Sequence, residues 1–239
     1  MEEKFFDEYA HKFDMNLDGI KLKYEHSYRV VEYADVIAKS LDLDEELSRK
    51  VHVAALFHDI GRFPQYQKYH HFRDLDSIDH GDKGYEILKE NNFLDNTILN
   101  AVKYHNKIGI PEELTEEEKL VCKIVKDADK IDIIDKITLE CTTKNYKPEE
   151  NILEYFRKNK LLRRDIKIDA EGNILGLFRQ IAFIFDVNFK KSLEIFKKKD
   201  FINKKIDLIL EDNNYPEIEE IRNICNSYLE RRLNDEGIR

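Results

Sequence analysis

Apolar and polar positions recur at helical spacing along most of the chain. Residues 22–41 carry Leu22, His26, Val30, Ala34, Ile37, Ala38 and Leu41 at three- and four-residue steps, which predicts an amphipathic helix. Asp44 stands as an N-cap before 44–60, where the run VHVAALF predicts a central buried helix ended by Gly61 and Pro64. The stretch 62–78 reads as irregular and polar. Helices are expected near 79–90 and 95–107, followed by a break at Ile108-Gly109-Ile110-Pro111. Thr115 and Glu118 fit a capping box at the head of a helix running to about 137. Beyond 140, Pro148 suits a first-turn position, and Pro216 opens a last run through Ile218, Ile221, Cys225 and Tyr228. Residues 166–175, IKIDAEGNIL, alternate around a glycine and are expected to form a short hairpin or loop. No fixed-period repeat and no Ser/Gly/Pro-rich linker interrupts the pattern. The expectation is an all-α protein folded as one domain over 1–239, with 136–239 as a helical extension.

Composition narrows the class. A chain of 239 residues can bury roughly 70–75% of its unfolded surface, so a sizeable core is available. The balance of 40 Lys+Arg against 49 Asp+Glu makes nucleic-acid binding an unfavoured expectation. Seven lysines within 190–205, beside Glu194 and Asp200, are expected to form a solvated helix face. No apolar run approaches the ~18–20 residues of a membrane span. The acidic start MEEKFFDEYA lacks the order of a signal peptide, so a cytoplasmic location without membrane contact is expected. Cys122, Cys141 and Cys225 are odd in number and lack CxxC spacing, as reduced thiols would be.

The candidate chemistry lies in the histidines. His58 continues the stripe of Leu47, Val51, Ala54 and Ala55, so His58 and the adjacent Asp59 sit at the end of a buried helix. Burying a carboxylate without a partner costs several kcal/mol, and a metal ion would be such a partner. His26 aligns with Val30 and Ile37, His80 with Gly84, Ile87 and Leu88, and His105 with Ile98, Ala101 and Val102. Any one of them could be a core histidine bonded to a carbonyl, but four inward histidines beside a His-Asp pair favour a metal site. His11, His52, His70 and His71 lack a matching stripe or lie in loop and receive no metal role, although His70 and His71 could border the pocket. A further acid is offered by Asp127 and Asp129, about 200° apart on a helix, and periodicity does not choose between them.

His26 in HSYRVVEYA, His58-Asp59 in AALFHDIGR and the acid in VKDADKID make the chain resemble the HD-domain metal-dependent phosphohydrolases over about 22–135. The resemblance implies a helical-bundle catalytic core there and selects Asp129, which follows Ala and precedes a basic residue. His80 in HGDKGYEIL and His105 in AVKYHNK are similar to the branch in which two additional histidines hold a second metal. Asn106 after His105 and the lack of a GYP triplet depart from the cyclic-dinucleotide phosphodiesterases.

The implied arrangement places one ion on His26, His58, Asp59 and Asp129, and a second on His80 and His105 with Asp59 bridging. Such ions would make hydroxide available at neutral pH to attack phosphorus. Mn, Fe, Co, Ni, Zn and Mg are the candidate metals. Arg29, Arg62 and Lys130 are the cations expected to grip phosphate oxygens. The expected function is hydrolysis of a small phosphate ester, a nucleotide by family habit. The alternatives are a mixed-valent diiron oxygenase of the same superfamily and a non-catalytic nucleotide-binding module. The sequence sets neither the substrate nor the oligomeric state.

Overall fold

A computed structural model describes residues 2–136, 141–162 and 173–238. Their regular structure is entirely helical, and they fall into two compact units, Met1–Asp129 and Lys130–Arg239. The first contains α1 (Glu2–Ala10), α2 (Asp18–Ser40), α3 (Glu45–Phe57), α4 (Arg62–Tyr69), α5 (His80–Glu90), α6 (Asn96–Tyr104) and α7 (Glu116–Lys136) as far as Asp129. The second contains α8 (Glu150–Arg157), α9 (Ile174–Ala182), α10 (Lys190–Lys199), α11 (Phe201–Leu210) and α12 (Pro216–Leu233). Among the described residues no helix is long and apolar enough to cross a membrane. The expected hairpin or loop stretch lies outside the described residues up to 172, and Ile174 and Leu175 open α9.

In the first unit α2 packs on α3, α3 on α6, and α5 on α6. The central element is α3, whose Val51, Ala54, Ala55, Leu56 and Phe57 are fully buried. Its start is fixed by Asp44, whose carboxylate accepts from the Leu47 backbone N–H at 2.8 Å. The starts of α5 and α6 are fixed in the same way, by Asp79 accepting from Gly81 and Asp82 and by Asp95 accepting from Thr97 and Ile98. The capping box of α7 closes both ways: Thr115 N–H donates to Glu118 at 2.7 Å, and Glu118 N–H donates to the Thr115 hydroxyl at 3.2 Å. Helix starts near the site are thus written into local side chains.

Several positions depart from the periodic pattern for identifiable reasons. Leu22 is 37% exposed, whereas Lys23 takes the inward place and pairs with Asp59. Residues 62–69 are helical rather than irregular, because Pro64 falls in the first turn of α4, where a missing N–H costs no helical bond. Pro148 lies just ahead of α8, whose N-cap is Glu149. The acidic start forms α1, anchored by Phe6 between Tyr28 and Phe63 and by Tyr24 and Tyr28 hydroxyls donating to Asp7 at 2.9 and 2.7 Å.

Gly61 permits a close crossing that places the site. A Cβ there would stand 2.2 Å from the His80 carbonyl oxygen and 2.9 Å from the Gly84 backbone nitrogen. The turn after α3 therefore touches the backbone of α5 only because residue 61 lacks a side chain. Gly61→Ala should destabilise the protein by roughly 1–3 kcal/mol in urea unfolding, since backbone must move to admit the methyl. An unchanged midpoint would contradict this crossing.

Asp79 makes a second prediction. Burial raises its carboxyl pKa, but Lys107, Asn106 and the Asp82 backbone N–H outweigh this and bring it down to about 2. Because the folded value lies below the ordinary one, the charge stabilises the fold fully above about pH 4 and ceases to as pH falls through about 2. Asp79→Asn keeps a good N-cap and loses the charge, so it should cost about 1 kcal/mol at pH 7 after allowance for solvent screening. Denaturation curves should show that gap closing between pH 4 and pH 2; a gap independent of pH would refute the assignment.

Candidate metal centre

Five helices deliver the candidate ligands. His26 lies inside α2, His58 caps the C-terminus of α3 with Asp59 next to it, His80 opens α5, His105 caps α6, and Asp129 lies on α7. The four imidazoles and Asp59 are at most 5% exposed. They form two pairs. The Nε2 atoms of His26 and His58 are 3.2 Å apart, and those of His80 and His105 are 3.0 Å apart. Asp59 lies between the pairs. Its Oδ2 is 3.5 and 3.4 Å from His26 and His58 Nε2, and its Oδ1 is 3.3 and 3.7 Å from His80 and His105 Nε2. Asp129 Oδ1 adds an oxygen to the first pair, 3.1 Å from His26 Nε2 and 3.7 Å from His58 Nε2.

The far side of three rings is already hydrogen-bonded. His58 Nδ1 donates to the Ala55 carbonyl and His105 Nδ1 to the Val102 carbonyl, both at 2.7 Å. His80 Nδ1 donates to Asp74 Oδ2, also at 2.7 Å. A neutral ring with its proton on Nδ1 presents only a lone pair at Nε2. In their neutral forms His58, His80 and His105 therefore turn Nε2 lone pairs toward the carboxylate oxygens, whereas a proton on His58 Nε2 lets that ring donate to Asp59 and Asp129. Such a set calls for positive charge among the carboxylates, and its nitrogen and oxygen donors of intermediate softness fit a divalent metal. A carboxylate or carbonyl behind each ring is the usual means of fixing a metal-binding tautomer.

Electrostatics follow from burial and neighbours. Burial pushes the Asp59 carboxyl up, but the charges of Lys23 and His58 and hydrogen bonds from His105 and His58 hold it well below its ordinary range. Burial opposes ionisation of Asp129 too, and hydrogen bonds from His26 and His58 again prevail. For His58, burial disfavours the charged ring, yet Asp59 and Asp129 raise its pKa to about 10. His80 is brought down to about 3 by burial and the Arg62 charge, and His105 is lowered by burial despite its bond to Asp59. Both carboxylates are thus ionised at neutral pH, and the second histidine pair is neutral.

The other predicted positions separate clearly. Asp127 is fully buried, but among the described residues the converging groups include Asp129 and not Asp127. Arg62 is near the centre, with Nε 3.4 Å from Asp59 Oδ1, while its Nη1 donates to Gln65, the Phe72 carbonyl and Asp74. Arg29 lies 4.0 Å from Glu25, and Lys130 pairs with Asp186 at 2.8 Å. His11, His52, His70 and His71 join none of the groups among the described residues. Three residues at the centre carry no role in the motif-based reading. Lys23 donates to Asp59 Oδ2 at 2.6 Å, Asp74 holds His80, and Asn106 Nδ2 donates to Asp79 at 3.0 Å and Asp74 at 3.3 Å. Lys23 could have been found as the residue three before His26, on the same helix face. Asp74 lies in a segment without periodicity and leaves no such signal.

Comparison with known proteins agrees with this geometry. The HD domain family matches residues 24–134. Two curated relatives, both Ribonuclease Y from strains of Ureaplasma parvum serovar 3, are 38% identical over 86 residues, covering 36% of this chain and 16% of each relative. The chain thus spans about a sixth of the length of the curated relatives it matches. No solved structure matches significantly. Over residues 24–134 the chain is thus similar to the HD domain family, and the buried His/Asp cluster on an all-helical scaffold is compatible with a metal site of that kind.

Proposed function

We propose that the protein is a metal-dependent phosphohydrolase acting on a small phosphate ester, a nucleotide being the expected class. His26, His58, Asp59 and Asp129 would hold one divalent ion, and His80 and His105 would hold a second together with Asp59. The observation that carries this reading is the face-to-face approach of two Nε2 pairs, each directed at one oxygen of a buried, ionised Asp59. When bound, divalent ions supply Lewis acidity, lowering the pKa of water from 15.7 towards about 7 and drawing charge from phosphoryl oxygens.

The chain's own groups set up that chemistry. Ala55 and Val102 carbonyls and the Asp74 carboxylate fix the Nδ1–H tautomer, so the reactive edge of each ring needs no reorganisation. Burial of the four rings keeps bulk water from competing for the lone pairs. Arg62, held by Asp74 and Gln65, presents its Nε beside Asp59, where a phosphoryl oxygen could accept from it.

A second substrate class is favoured by one finding. The curated relatives are ribonucleases by name, so an RNA phosphodiester is the other candidate. Protein loaded separately with Mn, Fe, Co, Ni, Zn and Mg should release product from at least one of a panel of mononucleotides, sugar phosphates and short oligoribonucleotides. Asp59→Asn and His58→Ala should each reduce that turnover by about 100-fold or more, as expected for loss of a metal ligand. Undiminished turnover in both, or oxygen consumption by the iron form in place of phosphate release, would refute the proposal.

Metal binding should also appear in stability. A divalent ion at 100 times its Kd should stabilise the wild-type fold by about 2.7 kcal/mol in denaturant titrations. Asp74→Asn, which weakens the acceptor behind His80, should bind the metal about 10- to 100-fold less tightly. Equal stability with and without metal would contradict the ligand assignment.

A further inference from the structure

One cation at the centre has no part in ion binding. Lys23 lies one turn before His26 on α2, is 7% exposed, and donates to Asp59 Oδ2 at 2.6 Å. Among the described residues Asp59 is its sole hydrogen-bond or ion-pair partner. On another side the Phe72 ring centroid lies 5.3 Å from its Nζ. Arg62, also against Phe72, is committed through Nη1 to three acceptors, Gln65, Phe72 and Asp74.

The oxygen that Lys23 bonds is the one facing His26 and His58. A divalent ion between those rings and the ammonium would therefore compete for the same oxygen, and the two cations would repel each other. Formal charges show the consequence. With the four rings neutral, as metal ligation requires, Asp59 and Asp129 carry two negative charges, Lys23 one positive charge, and Arg62 and Asp74 cancel. One divalent ion leaves a surplus of about +1 and two ions about +3, at low exposure where charge is weakly screened. A buried ammonium that has lost its carboxylate is costly unless another anion replaces it. The anion that such a site draws in is a phosphoryl group.

Resting on the metal-centre reading above, we propose that Lys23 is the substrate-binding cation of this site, paired with Asp59 until metal binds and then with a non-bridging phosphoryl oxygen. The role extends the site to a residue outside the H…HD…H…H…D pattern. It also sets a direction for specificity: terminal phosphomonoesters, which carry two charges, should bind better than singly charged phosphodiesters.

The test separates this from mere support of Asp59. Metal-free wild type, Lys23→Met and Lys23→Arg are titrated calorimetrically with Mn2+ alone, and each loaded protein is then titrated with inorganic phosphate. Lys23→Gln replaces Lys23→Met if the latter does not fold. The neutral variant should bind Mn2+ as tightly as wild type or more tightly, because a competing charge is gone. It should bind phosphate about tenfold or more weakly, whereas Lys23→Arg should stay within about threefold of wild type. A parallel loss of Mn2+ affinity, or phosphate binding unchanged in the neutral variant, would overturn the proposal. Failure of the wild type to bind Mn2+ would overturn the metal-centre reading and this proposal with it.

Discussion

The centre is organised by a single constraint, an ionised carboxylate that has been taken out of water. Asp59 is 2% exposed, and every polar group around it must answer for that burial. Lys23, Arg62 and four imidazole nitrogens approach its two oxygens. Replacing such a cluster with apolar side chains would be the simpler way to build a core. Its presence makes sense where a carboxylate of fixed orientation is needed to hold a metal ion.

The scaffold meets that need by rigid and local means. Helix ends, rather than long loops, carry His58, Asp59, His80 and His105, and Asp44, Asp79 and Asp95 fix where their helices begin. Gly61 lets the turn bearing Asp59 lie against the first turn of α5, which brings Asp59 Oδ1 within 3.3 Å of His80. Behind the rings, backbone carbonyls hold two tautomers and Asp74 a third, and Asp74 also anchors Arg62. The candidate ligands and their supports therefore form one connected hydrogen-bond network, which restrains motion at the centre.

Much of this is legible in the sequence because the candidate ligands share stripes with core residues. His26 with Val30 and Ile37, and His105 with Ala101 and Val102, reveal inward direction by helical spacing alone. Which imidazole meets which is set by the packing of α2, α3, α5 and α6, and spacing holds no record of it. The choice between Asp127 and Asp129 was likewise hidden, because residues 124–128 of α7 are all buried and a helix covered on every side has no informative period. Lys23 was obscured for the opposite reason. A lysine beside an apolar stripe ordinarily lies in solvent, and only the buried partner 36 residues away turns it inward. The helix α4 is masked in the sequence because Pro64 has the look of a terminator, although it occupies a first turn.

The central claim concerns atoms, and diffraction tests it most directly. Crystals of the protein grown with Mn2+ should give anomalous peaks on both sides of the Asp59 carboxylate, one beside the Nε2 atoms of His26 and His58 and one beside those of His80 and His105. Each should lie at bonding distance from a different Asp59 oxygen. Saturating metal with no anomalous density at either histidine pair would contradict the account.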